Sequence, residues 1–203
     1  GPNGAGKSTL FNLLTRLFVA PEGRIVISGH DLRDNPRAAL AELGIVFQQT
    51  TLDLDLTVQQ NLNYFAALHG LSGRNARTRI DAALDQLDMR ERAGEKARAL
   101  HGGHRRRTEI ARALLHDPSV LLLDEPTVGL DAAARASITD YAHTLTDQGK
   151  TVLWATHLTD EVLPNDDLIV LHRARVLAQG KARDIAGDMS LKDRFLSMTG
   201  AEA

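Results

Sequence analysis

The chain has 203 residues, of which 43% are hydrophobic and 25% are charged, a composition typical of one globular domain of ordinary to large size. The formal net charge of −2 excludes a strong overall electrostatic attraction to nucleic acid or to an anionic membrane. The lack of cysteine excludes a disulfide framework and thiolate chemistry, and the apolar runs are far shorter than the roughly 20 residues that span a bilayer.

The chain begins without a methionine and directly in a glycine-rich motif, so we expect a fragment that lacks its beginning. Residues 1–8 fit the pattern G-x-x-x-x-G-K-[ST] in full, in which glycines let backbone N–H groups converge on phosphate oxygens. Lys7 in this pattern reaches the outer phosphates, and the Ser8 hydroxyl ligates Mg²⁺. A glycine-rich turn that only caps a helix is the alternative. The predicted phosphate-binding loop consists of Gly1, Pro2, Asn3, Gly4, Ala5, Gly6, Lys7, Ser8 and Thr9.

Strands and helices are predicted in alternation along most of the chain. Short apolar runs predict strands at 24–28, 44–47, 120–123, 151–155, 168–171 and 176–178. Several of these runs are apolar without alternation, which predicts strands covered on both faces. Helices are predicted at 7–18, at 158–163, and at 132–148 with Asp131 as N-cap and Gly149 as its end. The alternation predicts an α/β core with parallel strands.

The middle of the chain, residues 52–116, contains no convincing strand pattern. Thr57 and Gln60 have the spacing of a capping box, which predicts a helix that ends near Gly70. Apolar residues recur at helical spacing over 74–87. We therefore predict a helical lobe at 52–116, inserted into a core made of 1–51 and 117–180. The tail, 181–203, is predicted to form one or two short helices.

Polar side chains follow three predicted strands at their carboxyl ends, where open α/β sheets bind ligands. Asp124 and Glu125 end the strand at 120–123 and point in different directions, because successive strand residues alternate. Asp124 suits a place in the Mg²⁺ shell, and Glu125 suits the role of general base or water-orienting group. Gln48 can reach Mg²⁺ or water, and His157 can sense a terminal phosphate or position the water. A solvated acid pair, a surface-loop glutamine and a capping or core histidine are the alternatives.

The segment LHGGHRRRTEIARALL leaves three interpretations open: a phosphate sensor, a metal site and a nucleic-acid patch. Gly102 and Gly103 let N–H groups at a helix N-terminus approach a phosphate, with His101 as a bulkier donor. A metal site on His101 and His104 lacks a third acid or thiol nearby. A nucleic-acid patch on the three arginines lacks an aromatic platform, so we predict a solvated basic helix start. We favour the phosphate sensor.

These motifs resemble those of the nucleotide-binding domains of ABC transporters, and the resemblance covers nearly the whole chain. GPNGAGKST resembles the Walker A loop, VFQQ the Q-loop with Gln48, VLLLDEP Walker B, and ATH the H-loop with His157. VGLD resembles the D-loop with Asp131, and LHGGH stands where the family has LSGGQ. The resemblance implies a P-loop NTPase (RecA-like) core with an inserted helical subdomain, of the ABC ATPase type.

The same resemblance implies hydrolysis of ATP to ADP and phosphate with Mg²⁺. It assigns catalysis to Glu125, His157 and Gln48, the metal to Ser8, Gln48 and Asp124, and further nucleotide contacts to His101, Gly102, Gly103 and Asp131. Two such domains, identical or different, would enclose two ATP molecules head to tail, with each phosphate loop facing the Gly-Gly turn of the other. A transmembrane permease subunit would dock on the helical lobe at the cytoplasmic face of a bacterial plasma membrane. No nucleic-acid partner and no direct membrane insertion are implied.

Three shorter segments resemble particular subgroups of this family. The tail LKDRFLSMTG is similar to the LExxFLxLTG ending of exporter-type subunits, and GGHRRR and WATHL resemble a subunit associated with PQQ-dependent alcohol oxidation. Two features depart from the family: His101 and His104 replace the signature serine and glutamine, and the aromatic that stacks on adenine lies upstream of Gly1. A non-transport ABC ATPase of DNA repair or of ribosomes is the alternative function. A different P-loop enzyme, such as a kinase, would lack LHGGH, the D-loop and the helical lobe.

Overall fold

The computed structural model describes residues 1–200. The chain divides into two compact units, Glu22–Trp154 and a second formed by Gly1–Pro21 together with Ala155–Ala203. Within residues 1–200, no helix is long and apolar enough to cross a membrane. The last three residues of the predicted tail, 201–203, lie outside the described part. The predicted division into core, helical lobe and tail stays a prediction.

Helices and strands alternate along the chain. The helices are α1 (Lys7–Leu14), α2 (Pro36–Ala41), α3 (Val58–Leu68), α4 (Gly73–Gln86), α5 (Gly102–Leu114), α6 (Ala132–Asp147), α7 (Ala182–Ala186) and α8 (Leu191–Thr199). The strands are β1 (Val26–Ile27), β2 (His30–Asp31), β3 (Leu43–Val46), β4 (Val120–Asp124), β5 (Thr151–Ala155), β6 (Asp167–His172) and β7 (Arg175–Lys181). Short 3₁₀ helices cover Arg90–Arg92, Ala97–Ala99 and Thr159–Glu161. This order confirms the predicted α/β class.

The larger unit, Glu22–Trp154, contains a three-stranded sheet in the order β3-β4-β5. β3 and β4 run parallel, with Val46 opposite Leu123. Leu43 and Gly44 are both buried in β3, and Leu121 to Asp124 are all buried in β4, so consecutive residues on both faces are covered and the prediction is confirmed for this pair. β5 is only partly buried, which departs from that prediction.

Helices α3 to α6 pack with β3 and β4 around one hydrophobic core. α3 begins with the predicted capping box, in which the Gln60 N–H donates to Thr57 Oγ1 at 3.1 Å and the Thr57 N–H donates to Gln60 Oε1 at 2.8 Å. α6 begins with the predicted cap, since the Ala134 N–H donates to Asp131 Oδ1 at 2.8 Å. Each large apolar side chain buried in this core stabilises the fold by about 1.5–3 kcal/mol. The core therefore fixes α5 against the carboxyl ends of β3 and β4.

Both antiparallel pairs of strands are hairpins. β1 pairs with β2 through Ser28 and Gly29, and β6 pairs with β7 through Arg173 and Ala174. All four turn residues have positive φ, as two-residue turns that match the strand twist require. The expectation of parallel strands is therefore wrong for β6, for β7 and for β1, which covers only Val26–Ile27 of the predicted strand at 24–28. β6 and β7 are also not covered on both faces, because Ile169 is 49% exposed.

Two predicted helices are shorter than expected in the unit that contains the chain start. α1 ends at Leu14 rather than at residue 18, because Arg16 adopts a left-handed backbone with φ of 58°. The stretch 158–163 forms only the 3₁₀ turn Thr159–Glu161. Pro164 follows this stretch and disfavours the helical conformation of the residue before it. Both corrections concern helix ends, where the apolar spacing alone is a weak signal.

A stacked pair of histidines lies at the end of α3. The rings of His69 and His116 are 3.9 Å apart and 6° from parallel, and His116 Nε2 lies 3.0 Å from the Leu43 carbonyl oxygen. Burial lowers the pKa of both imidazoles, and for His116 the neighbouring His69 and Arg79 lower the pKa further, while the hydrogen bond to Leu43 and Asp117 oppose the shift. The fold therefore favours the neutral form of both rings.

This pair makes stability depend on pH. In the unfolded chain each histidine titrates near its ordinary pKa of about 6.5, so the unfolded state binds more protons as the pH falls below that value. We expect the free energy of unfolding to decrease on acidification from pH 7 to 5. Replacing His116 with Gln keeps a donor for Leu43 but removes the titration, and should flatten this slope by up to about 1.4 kcal/mol per pH unit. Urea unfolding measured across this pH range tests it, and parallel profiles for parent and variant would contradict it.

Candidate functional site

The predicted phosphate-binding loop is held as a closed turn in front of α1. Gly6 is the N-cap residue of α1, with φ of 104°, a conformation that only glycine adopts without strain. The Lys7 ammonium donates to the Gly1 carbonyl oxygen at 2.6 Å, so its charge lies over the loop. The Ala174 N–H donates to the Ala5 carbonyl at 2.9 Å, which ties the loop to the β6–β7 turn. α1 has no side-chain cap, so its first N–H groups remain suited to an anion.

His157 lies beside the start of this loop. The nitrogen of Gly1 donates to the Thr156 carbonyl oxygen at 3.0 Å, so the residue before His157 contacts the loop directly. The Thr156 hydroxyl donates to Glu161 Oε2 at 2.7 Å and accepts from the Leu158 N–H at 2.9 Å. These bonds fix the backbone on both sides of an exposed His157. The structure thus brings the predicted H-loop and phosphate loop together within one unit.

The two acids at the end of β4 are buried. Asp124 is 8% exposed and Glu125 is 5% exposed. Glu125 has φ of 48°, a left-handed conformation that is uncommon outside glycine and costs on the order of 1–3 kcal/mol. Backbone outliers of this kind cluster at functional sites because the surrounding structure must hold them. Burial and the left-handed backbone therefore make Glu125 a stronger candidate for chemistry than a member of a solvated acid pair.

Gln48 lies against this acid pair. It follows β3 by two residues, and its Nε2 donates to Glu125 Oε2 at 3.4 Å. The parallel register of β3 and β4 explains this contact, because Val46 is opposite Leu123 and both chains continue past the same edge of the sheet. Gln48 is nevertheless exposed, as the alternative interpretation of a surface-loop glutamine expects. The Gln48 amide and the Glu125 carboxylate meet at the edge of the sheet.

The Gly-Gly turn forms the start of α5. His101 is the N-cap residue and is exposed, and its side chain makes no capping hydrogen bond. A Cβ atom on Gly103 would lie 3.0 Å from the Ala134 Cβ, and one on Gly102 would lie 3.1 Å from the Leu130 side chain. The two glycines thus let α5 approach the D-loop segment and the start of α6. This packing role adds to the predicted role in exposing N–H groups.

The prediction that the three arginines after this turn form a solvated helix start is wrong. Arg106 is 8% exposed and donates to the carbonyl oxygens of Phe47 and Gln48. Arg105 and Arg107 are half-buried, and their guanidinium groups donate to Ala97 and Ser137 respectively. Each guanidinium therefore has a protein acceptor on a different side of the helix.

Sequence reasoning also missed two further charged residues of α5 that contact the segment after β3. Glu109 and Arg112 are 2% and 3% exposed and bond to residues 50 and 51. The signal was present in the sequence, because Arg106, Glu109 and Arg112 recur every three residues on one face of an amphipathic helix. Charged residues at that spacing on a core-facing helix indicate a buried ionic network rather than a solvated face.

The donor chemistry of the edge of the sheet fits Mg²⁺ better than a transition metal. Asp124, Glu125 and Gln48 offer oxygen ligands, which Mg²⁺ prefers. Among residues 1–200, no three histidine, cysteine or acidic side chains converge as a metal cluster.

The two histidines of the Gly-Gly turn, His101 and His104, do not face each other closely. Their rings are 6.3 Å apart and tilted by 45°. Burial, followed by the charges of Arg92 and Arg107, lowers the pKa of His104.

The close packing of Gly103 generates a stability prediction. Alanine at this helical position would gain up to about 1 kcal/mol in helix propensity. The added Cβ would press on the Ala134 Cβ, which cannot rotate away, and overpacking of this kind costs about 1–3 kcal/mol. We expect Gly103→Ala to lower the free energy of unfolding by about 1 kcal/mol in urea titrations.

Two variants control for this effect. Gly94→Ala adds a Cβ where no atom lies within 4 Å and should leave the stability nearly unchanged. Ala134→Gly removes the contacting methyl group, so adding Gly103→Ala in that background should no longer destabilise the protein. An equal loss in both backgrounds would show that the Gly103–Ala134 contact does not limit the packing.

Comparisons with known proteins agree with one another. A family profile described as ABC transporter matches residues 1–128. The daunorubicin resistance ATP-binding protein DrrA3 of Streptomyces coeruleorubidus is 40% identical over 93% of this chain, which spans 60% of that protein. The Nod factor export ATP-binding protein I of Ralstonia nicotianae is 38% identical over 91% of this chain, which spans 58% of that protein. The ATP-binding cassette MJ0796, solved as a dimer in a post-hydrolysis state with ADP and Pi, is 31% identical with a TM-score of 0.76, over 89% of this chain and 82% of its own.

Proposed function

Because the chain belongs to the ABC transporter family, we propose that it is part of an ATP-binding and ATP-hydrolysing subunit that energises transport through a separate transmembrane subunit. The observation that carries the proposal is the contact of the Gln48 amide with the carboxylate of Glu125, a buried residue with a left-handed backbone at the end of β4. A polar amide beside this carboxylate suits an acid that activates or orients water for hydrolysis, rather than one that only caps a strand. In an ATP-hydrolysing subunit, the water that this acid acts on would attack the terminal phosphate of ATP.

Nucleotide binding is assigned to the phosphate loop and the Gly-Gly turn. Successive N–H groups of the loop and the start of α1 would hold the phosphates, and Lys7 would neutralise their charge. Ser8, Asp124 and Gln48 would hold Mg²⁺, in agreement with their oxygen donors. When bound, Mg²⁺ neutralises the phosphate oxygens and orients them. The remaining assigned nucleotide contacts are those of Thr9, His101, Gly102, Gly103 and Asp131.

Hydrolysis is assigned to three side chains with distinct roles. Glu125 would take a proton from the attacking water or orient it toward the terminal phosphate. Gln48 would help to place that water, because its amide already lies at the carboxylate. His157 would contact the terminal phosphate, and the hydrogen bond from Gly1 to Thr156 keeps it at the start of the loop. Positioning and electrostatic stabilisation contribute most to the rate of phosphoryl transfer.

The proposed assembly contains two ATP-binding subunits and a membrane permease. Two copies, or this chain and a different one, would enclose two ATP molecules head to tail, and the dimeric state of MJ0796 supports such pairing. The core at 1–51 and 117–180 would bind the nucleotide, and the helical lobe at 52–116 would dock the permease. The subunit would lie at the cytoplasmic face of a bacterial plasma membrane without inserting into it.

We further propose an export system as the setting. Support comes from the tail LKDRFLSMTG and from similarity to a Nod factor export protein. The GGHRRR and WATHL segments support a more specific proposal, a system associated with PQQ-dependent alcohol oxidation. Deleting the gene should then impair growth on alcohols. Unchanged growth on alcohols would argue against the specific setting while leaving the ATPase assignment intact.

The assignment of Glu125 generates a kinetic prediction. Glu125→Gln removes the carboxylate but keeps the side-chain size, so it should leave ATP binding intact and lower the turnover number roughly 10²–10⁴-fold. Purified parent and variant would be compared for phosphate release and for binding of labelled ATP. Asp193→Asn serves as the control, because this acid lies in the first turn of α8 and has no assigned role in the site. Parental turnover in Glu125→Gln would refute the assignment.

A further inference from the structure

The segment that carries Gln48 is anchored to α5 by three charged side chains. Arg106 donates one N–H to the Phe47 carbonyl at 2.6 Å and another to the Gln48 carbonyl at 2.9 Å. Glu109 accepts from the Thr50 hydroxyl at 2.8 Å and from the Thr51 N–H at 2.9 Å. Residues 47–51 are thus bonded to one helix face through their backbone at several points.

Contacts of Arg112 and a salt bridge complete this ionic anchor, which consists of Arg106, Glu109 and Arg112. Arg112 donates to the Thr51 carbonyl at 2.9 Å and to the Thr51 hydroxyl at 2.5 Å, and its guanidinium lies 4.2 Å above the Phe65 ring. Arg106 and Glu109 also form a salt bridge of 2.9 Å. Burial lowers the pKa of both arginines, and Glu109 opposes this shift for each.

The anchor is rigid because each member restrains the others. All three side chains are at most 8% exposed, and buried charges are retained only where paired and hydrogen-bonded. Charge-assisted hydrogen bonds are shorter and more directional than neutral ones, and a guanidinium fork fixes two acceptors at once. The Phe47 and Gln48 carbonyls therefore have one preferred position relative to α5.

That position decides where the Gln48 side chain points. With its own carbonyl and the preceding one held on Arg106, the Gln48 backbone is restrained by two hydrogen bonds. From this held backbone, the amide of the Gln48 side chain reaches Glu125 at 3.4 Å. After Glu109, the Asp124 carboxylate is a second favourable charge for the Arg106 guanidinium, so the anchor lies close to the assigned metal ligand.

We propose that Arg106 is a positioning residue for ATP hydrolysis, which keeps the Gln48 amide on Glu125 by holding the Phe47 and Gln48 carbonyls. This inference rests on the proposed function, because it assigns Arg106 a role in the reaction through Gln48. It differs from a purely structural role in one respect. Loss of the two carbonyl contacts should slow turnover even where the protein remains folded and binds nucleotide.

The test uses Arg106→Lys in the purified protein, assembled with its partner subunits. Lysine keeps a cation opposite Glu109 but cannot hold two carbonyl oxygens with a planar fork. We expect the turnover number to fall roughly 10-fold while KM for ATP changes little, because misplacement of a positioning group acts on the chemical step. Arg105→Lys is the matched control, since Arg105 donates to Ala97 and Arg98 and not to residues 47–51.

A double-mutant cycle separates positioning from stability. If Arg106 acts through Gln48, then Arg106→Lys should change turnover by less than about twofold in a Gln48→Ala background, since coupled residues are not additive. A fall of the same size in both backgrounds would overturn the inference. So would a change confined to KM. Failure of the parent protein to hydrolyse ATP would overturn the proposed function and this inference together, whereas an additive cycle in an active parent overturns the inference alone.

A second variant keeps the test decisive if Arg106→Lys does not fold, as judged by its thermal unfolding. Replacing Arg106 by glutamine leaves Glu109 with Arg112 as its opposite charge, and a glutamine amide cannot hold two carbonyl oxygens with a planar fork. This variant should also lose turnover in the parent background and not in Gln48→Ala. Equal losses in both backgrounds would again overturn the inference.

Discussion

The buried charges on one face of α5 are the constraint on which the larger unit depends. Arg106, Glu109 and Arg112 lie every three residues along a helix that otherwise packs apolar side chains into the core. Removing one partner of such a network leaves an uncompensated buried charge, at a cost of about 3–5 kcal/mol. The helix therefore cannot slide or rotate relative to the segment after β3 without exposing or unpairing a charge. Its register is fixed by electrostatics, while apolar burial supplies most of the favourable free energy.

The fixed position of α5 constrains two neighbouring segments, the one after β3 and the Gly-Gly turn. Its side holds Phe47 and Gln48, and its start places Gly102 and Gly103 within van der Waals distance of Leu130 and Ala134. Any displacement of the Gly-Gly turn must therefore be felt by residues 47–51 through a helix of three to four turns. In the proposed function, the Gly-Gly turn contacts one ATP molecule and Gln48 lies at the other. Helix α5 then connects two nucleotide sites that share no residue.

The fold was predictable where local chemistry and periodicity agreed. The Thr57 capping box, the Asp131 cap and the apolar run of β4 each specify one structure without help from distant residues. The end of α1 was not predictable, because the left-handed backbone at Arg16 carries no glycine or asparagine to mark it. The antiparallel β6–β7 hairpin was not predictable for the same reason, because its turn lacks the residues that usually mark one. Arginine and alanine occupy its turn, a choice that only tertiary contacts such as the one with Ala5 explain.

The candidate site divides along the same line. Motif spacing predicted candidate residues for the chemistry, because phosphate and metal binding demand particular groups in a particular order. It did not predict the φ of 48° at Glu125, which depends on packing around the end of β4. It also misassigned Arg106, because the charge pattern of a helix start has the same appearance whether the helix faces water or a backbone carbonyl. A helix start that faces water and one that faces a backbone carbonyl are distinguished only by whether other residues bury the arginine.

The replacement of the signature serine by His101 follows a consistent physical logic. A serine at an N-cap position accepts from the helix's own N–H groups and typically stabilises the helix by about 1 kcal/mol. His101 makes no such bond, so α5 begins with first-turn N–H groups that no capping side chain satisfies. The phosphate loop shares this feature, because Gly6 also leaves α1 without a side-chain cap. In the proposed function, the positive end of each helix dipole favours the negative charge of an approaching phosphate. In the proposed function both helices give up some intrinsic stability, which phosphate binding restores.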